Sequence, residues 1–349
     1  MSVNKSFFGT YEGKNVDLYK ITAANGAYAE IITYGGTLHT LFVPDRDGKL
    51  TDVLIGFDDI KGHVERSDYQ GQLVGRYANR IAGGKFSVNG KVYEITKNEE
   101  DKNGNPITCL HGGGEFSHSI WDAEIAGENS VLLSYTSPDG ANGFPGEMTA
   151  KVKYTFNDDN ELIMEYSAVC TQDSPINLTN HAYFNLGSCE NVLNTELYIN
   201  ADSFTPTDEN SIPTSEIRKV SGTAFDFTSP KAIGRDIGQD DIQLVMCKGY
   251  DHNFCLNEHK ENEVCASAYA PETGIFMEMF TSLPGVQLYT GNFLSSVEGK
   301  GGKPMNKHAG FCLETQSWPD TPNQPAFPSC TYKAGEEYRS VTSFKFSVK

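Results

Sequence analysis

Between Ala150 and Cys170 the chain alternates apolar and polar residues with a period of two, and this feature most restricts what it can fold into. Ala150, Val152, Tyr154 and Phe156 are separated by Lys151, Lys153 and Thr155. A polar "NDDN" turn follows, and Leu162, Met164, Tyr166 and Ala168 then resume at every second residue. Side chains alternate faces along a strand, so the pattern predicts a hairpin with one buried side. A second hairpin is predicted in "KFSVNGKVYEI", where Asn89-Gly90 suits a two-residue turn. That turn sets Phe86 opposite Tyr93, on the face shared by Val88 and Ile95. Helical periodicity is nearly absent. The segment "PTSEIRKV", with Thr214 or Ser215 as cap after Pro213, is expected to make a turn or two of helix. Strand signals at short spacing over the whole length predict an all-β sandwich or barrel. No linker-like stretch interrupts residues 1–349, and the proline-rich "WPDTPNQPAFPS" at 318–329 reads as an ordered loop, so a single domain is expected.

Charge narrows the partners. A formal net charge of -18 opposes binding to nucleic acid or to anionic membrane surfaces. The N-terminal "MSVNKSFFGTYEGK" lacks the apolar core of a signal peptide, and no apolar run is long enough to span a bilayer. Cysteines stand at 109, 170, 189, 247, 255, 265, 312 and 330, with no Cys-x-x-Cys pair. Reduced thiols in a cytoplasmic protein are therefore expected.

Several short segments carry candidate chemistry. In "NLTNHAYFNLG", Asn177 to Gly187, an extended chain puts Leu178, Ala182, Phe184 and Leu186 on one face, with Asn180 out of character. Thr179, His181, Tyr183 and Asn185 share the other. The residues alone leave two readings of that row, ordinary polar surface or a histidine aimed at a ligand. "CLHGGGEF" follows His111 with three glycines, which suits either a tight turn or a loop presenting His111 to a cleft. No strand–loop–helix context or Walker lysine supports a phosphate cradle there. In "GYDHNFCL", His252 shares the core face of Phe254, and Asp251 points the opposite way. In "GFCLETQSW", Phe311 and Leu313 face the core while Glu314 and Gln316 face away. Asn79-Arg80 and Gln287 complete the set. Planar bidentate groups and aromatic rings mixed in this way are the inventory for a small polyhydroxylated ligand. A metal site made from the same histidines finds no ligand spacing in its support.

Taken together and in order, the motifs resemble the aldose 1-epimerase family. "VGRYANRIAGGKF", "LHGG", "SPDGANGFPGEM", "NLTNHAYFNL", "GTAFDFTSPKAIG", "GYDHNF", "PGVQLYTGNF" and "GFCLETQSWPDTPNQPAFPS" carry the resemblance over nearly the whole chain. It implies a large antiparallel β-sandwich with a sugar site in an open cleft. It also implies that His181 acts as general acid and Glu314 as general base. Asn79, Arg80, His111, Asp251 and Gln287 match sugar contacts, with Tyr183 as a wall beside His181. Tyr77 and the extra Gly114 depart from the family pattern at no matched functional position. The implied reaction is anomer interconversion of a monosaccharide, without cofactor or metal, in a monomer or homodimer. Three alternatives remain: a hexose-6-phosphate epimerase, which needs further arginine or lysine near the far end of the sugar; a glycosidase using Asp251 and Glu314; and a non-catalytic sugar-binding module.

Overall fold

The structure, a computed structural model, describes residues 1–66 and 68–349. Met148–Phe156 pairs antiparallel with Glu161–Cys170, with Val152 opposite Tyr166 and Tyr154 opposite Met164. All eight apolar residues of the alternation are buried, so this hairpin forms as predicted. It belongs to a nine-stranded antiparallel sheet. The order across that sheet is Asp122–Gly127, Ser130–Ser137, Met148–Phe156, Glu161–Cys170, Glu337–Val348, Ile275–Thr281, Ala266–Tyr269, Glu196–Ile199 and Lys231–Ala232. Glu337–Val348 therefore lies in the middle.

Two five-stranded sheets pack near it. One runs through Ser2–Tyr11, Lys14–Thr22, Tyr28–Ile32, Thr37–Pro44 and Leu50–Asp52. The other runs Arg218–Lys219, Ser203–Thr205, Asp251–Cys255, Gly285–Tyr289 and Cys312–Gln316. A single buried cluster draws Ile21, Ile31 and Leu41 from the first, Val152, Met164 and Phe344 from the large sheet, and Phe254, Leu288 and Leu313 from the second. Each such side chain stabilises the fold by about 1.5–3 kcal/mol. The large sheet thus buries one face against both smaller sheets, the layered solution open to antiparallel sheets with one apolar side. The all-β sandwich expectation holds.

The Asn89-Gly90 hairpin also forms, with Phe86 opposite Tyr93 and their rings 5.6 Å apart. Asn89 and Gly90 take φ of 53° and 76°, as a type I′ turn requires. The helix expected after Pro213 does not form. The Asp208 carboxylate accepts the N–H groups of Asn210 and Ile212, a local turn that competes with helix. Thr214 N–H then donates to the Pro206 carbonyl, Ser215 turns to φ 68°, and Arg218–Lys219 pairs with Ser203–Phe204 as an edge strand. Short helices occur instead at Ile60–Glu65 and Ile242–Cys247, capped by Asp59 and Asp241.

In the segment from Asn177 to Gly187, Leu178, Ala182, Phe184 and Leu186 join the main core, as the alternation predicts. Only Thr179–Asn180 is regular strand, paired with Leu73–Val74, and Phe184 bridges to Leu54 and Phe311. The opposite face is not wet, because Thr179, His181, Tyr183 and Asn185 are buried as well. Asn180 is accommodated by donating to the Gly71 carbonyl and the Tyr154 hydroxyl. All eight cysteines are unpaired, and only Cys189 is exposed. Among the described residues, no helix is long and apolar enough to cross a membrane.

Candidate active site

Strand register brings the first part of the site together. Asp251 stands opposite Tyr289, and Gln287 stands opposite both Asn253 and Glu314. Alternation sends His252 inward, where its ring packs on Phe225 and its Nε2 lies 3.1 Å from Gln243 Oε1. Asp251, Tyr289 and Glu314 face the other way, into a cleft of about 190 Å³.

Loops supply the facing wall. Asn79 and His111 both adopt left-handed backbone, with φ of 60° and 52°. They hold each other, since Asn79 N–H donates to His111 Nδ1 at 3.1 Å and His111 N–H donates to the Asn79 carbonyl at 2.9 Å. The three glycines after His111 all have positive φ, and a Cβ on Gly112 would run into the Gly75 carbonyl. Only glycine permits that close approach. Because Nδ1 accepts a bond, neutral His111 carries its proton on Nε2 and presents a donor to the cleft.

His181 lies nearly parallel to the rings of Tyr183 and Tyr69, at 5.0 and 5.9 Å. Tyr183 is itself fixed by donating its hydroxyl to the Asp68 carbonyl. His181 Nδ1 lies 3.5 Å from Cys312 Sγ, and Nε2 lies 3.6 Å from Glu314 Oε2. That Glu314 oxygen is buried with no hydrogen-bond partner. An unsatisfied buried acceptor is costly, and such atoms concentrate where a ligand is meant to bond.

Seven of the eight expected residues line this cleft: Asn79, Arg80, His111, His181, Tyr183, Asp251 and Glu314. Gln287 does not. It is buried and bonded to Asp251, donating to its carboxylate at 2.7 Å and accepting from Gln316. Asp68, Tyr69, Glu99, Leu110, Tyr289 and Phe293 also line the cleft and went unnoticed in the sequence. Tyr289 was within reach of the alternation rule, two residues beyond Gln287 on the same strand. Glu99 sits in the polar run "NEEDK", which reads as solvated surface.

Burial sets the protonation states. It pushes the Glu314 carboxyl up to about 8, with Asp251 adding to the shift, and the His181 imidazole down to about 4. Burial, then His181 and Arg80, hold His111 neutral. Burial thus works against both the carboxylate on Glu314 and the imidazolium on His181. The resemblance suggests these two charged forms for the reacting pair. Asp251 is raised by burial too, against the pull of Arg80 and the bond from Gln287.

Ligating atoms of His111, His181 and Glu314 lie within 4.8 Å of one another, as a metal site requires. The donor set does not fit one. A metal needs a lone pair on the cleft-facing nitrogen, and the Asn79 bond leaves a proton there on His111.

A larger cavity of about 470 Å³ lies further along the same segment, lined by Phe42, Leu50, Leu54, Ile55, Asn185, Lys300 and Met305 among others. Its acids are occupied, Asp52 by Lys300 and Asp58 by the Gly301 N–H. The smaller cleft gathers more titratable groups with shifted pKa values, among them Glu314, His181, His111 and Asp251, against His39 and Cys189 in the larger. Such convergence marks chemistry better than volume does.

A buried carboxyl–imidazole pair faced by hydrogen-bond donors and aromatic rings, in a ring-sized cleft on a β-sandwich, defines a sugar-handling enzyme. The aldose 1-epimerase family model matches residues 17–345. The chain is 46% identical over 323 residues to galactose mutarotase from Bos taurus, covering 91% of each. It is 42% identical over 354 residues to that of Rattus norvegicus, covering 100% of this chain and 99% of the relative. A solved aldose epimerase homologue from C. elegans superposes with a TM-score of 0.86 at 29% identity, over 99% of both chains. The chain belongs to the aldose 1-epimerase family.

Proposed function

We propose that this enzyme interconverts the α and β anomers of hexoses such as D-galactose and D-glucose, acting in the cytoplasm as a single domain spanning residues 1–349. The observation that carries the reading is the facing of His181 Nε2 and Glu314 Oε2 at 3.6 Å, both buried in the cleft. Ring opening needs a proton taken from the anomeric hydroxyl and another given to the ring oxygen. A sugar hydroxyl donating to Glu314 favours its carboxylate, so the proton shared by the pair passes to His181. Glu314 then accepts the anomeric hydroxyl proton while His181 protonates the ring oxygen, and the bond from the anomeric carbon to that oxygen breaks. The open aldehyde rotates about one bond. Reclosure from the other face returns both protons with the roles exchanged. His111 Nε2–H and Arg80 are placed to stabilise charge developing on oxygen. The steps require no cofactor.

The cleft's basic residues weigh against a hexose 6-phosphate substrate. Arg76 is fully buried, donating to Ser137 Oγ and to the carbonyls of Ser137, Pro138, Pro145 and Gly146. Arg80 is already paired with Glu99. The test is polarimetry of freshly dissolved α-D-galactose, α-D-glucose and glucose 6-phosphate side by side. Acceleration of the free sugars is expected. Acceleration of the phosphate alone, or sugar binding without faster equilibration, would overturn the reading.

A further inference from the structure

We propose that Glu99 is a positioning residue of this site, one that aims the Arg80 guanidinium and cancels its charge opposite Glu314. The inference rests on the mutarotase reading and concerns a residue outside the proton-transfer pair. Glu99 uses both carboxylate oxygens on Arg80, accepting from Nε at 2.7 Å and from Nη2 at 2.8 Å. Such a fork fixes the plane of the guanidinium. Among the described residues, Arg80 Nη1 has no hydrogen-bond partner, so this nitrogen is what Arg80 offers a sugar oxygen.

The pair is not a surface ion pair of little consequence. Its side chains are 14% and 26% exposed, and both line the cleft. The strand that carries Glu99 is Glu99–Glu100, joined to Pro106–Leu110 and through it to Arg80–Ala82. The small sheet thus brings the carboxylate to the guanidinium.

Charge is the second part of the argument. Glu314 faces His181, His111, Asp251, Arg80 and Tyr183, with Cys312 on its own strand. Arg80 is the one permanent cation in that set. Burial works against its charge, and Glu99, with help from Asp251, still raises its pKa above the ordinary value. An uncompensated guanidinium would draw Glu314 toward its carboxylate and hold the shared proton elsewhere. With Glu99 in place, the proton stays within reach of both partners.

The experiment compares wild type with Glu99→Gln, Glu99→Asp and, as a neighbour control, Glu100→Gln, by polarimetry from pH 4 to 9. Glu99→Gln is expected to raise KM about tenfold through loss of one arm of the fork. It should also move the alkaline limb of kcat/KM down by about one unit. Glu99→Asp keeps the charge but shortens the reach, so it should raise KM and leave the limb in place. Glu100→Gln should match wild type. If Glu99→Gln keeps both the wild-type KM and the wild-type alkaline limb, the proposal is overturned. Equal limb shifts in Glu99→Gln and Glu99→Asp would also overturn the charge role. A wild type without mutarotation would instead fail the underlying reading.

Discussion

Two cavities open at the two ends of one stretch of chain, His181–Asn185, and offer a ligand opposite things. At one end, about 190 Å³ is ringed by Glu314, His181, Asp251 and Arg80. At the other, about 470 Å³ has largely aliphatic walls and acids already satisfied by Lys300 and the Gly301 N–H. The first holds a buried acceptor without a partner and groups whose protonation is displaced from normal. In the second, Asn185 spends its side chain on the backbone, donating to the carbonyls of Cys189 and Ala309 and accepting from Cys189 N–H. One end of the segment, at His181, meets an unsatisfied acceptor kept for a substrate. The other end, at Asn185, is closed on the backbone to hold the segment still. Size separates the two less well than the state of their hydrogen bonds.

The contrast breaks most visibly at Glu314. Glu314→Gln should retain galactose binding by calorimetry and lose about 10²–10⁴-fold in kcat by polarimetry, as should His181→Asn. A Glu314→Gln enzyme that equilibrates α-D-galactose at nearly the wild-type rate would remove the proton-transfer assignment. The pH profile is the next largest effect. The active form carries one proton on the pair, so kcat/KM should be bell-shaped, falling below about 4 and above about 8. A flat profile through that alkaline region would mean the shared proton is not used.

At the other end of the segment, Asn185→Ala leaves two carbonyls and one N–H unsatisfied. It should cost about 2–3 kcal/mol in urea unfolding while leaving the pH limbs unmoved. Glu314 links the comparison to stability. Its pKa is raised by folding, so the native chain holds a proton that the unfolded chain releases, and stability declines as pH climbs toward about 8. Glu314→Gln has no such loss and should be more stable than wild type at pH 9, by on the order of 2 kcal/mol. Equal melting temperatures there would argue that Glu314 is ionised in the fold at neutral pH. The smallest effect belongs to the rim of the larger cavity. Lys49→Ala and Lys303→Ala should each change kcat less than about twofold.

The fold was legible wherever one face of a strand is buried and the other is not. The Ala150–Cys170 and Asn89-Gly90 hairpins follow from period two and turn chemistry. The helix Ile242–Cys247 was not, because Ile242 and Val245 are exposed while Leu244 and Cys247 are buried, and apolar residues on both sides erase the periodic signal. The false helix after Pro213 shows the limit of a cap signal. Thr214 and Ser215 suit a helix start, but Asp208 had already turned the chain. At the site, the family motifs reached the side chains on strands and glycine turns. Glu99 comes from a two-residue strand in a polar run and Tyr69 from a loop, and no local pattern foretells the surroundings of either. Gln287 was read as a sugar contact because its motif matches the family's. What the sequence does not convey is that its amide is bonded to Asp251 and Gln316.

Glu337–Val348 is the middle strand of the nine and the last of them in sequence. During translation, the Asp122–Cys170 strands and the Glu196–Thr281 strands both wait for it. At roughly 5–20 residues per second, the edge at Glu161–Cys170 stays unpaired for about 10–30 s after synthesis. An unpaired edge recruits other chains. The nascent protein is therefore most open to edge-to-edge association until Glu337–Val348 pairs, and a chaperone that shields that edge has its largest effect in that interval.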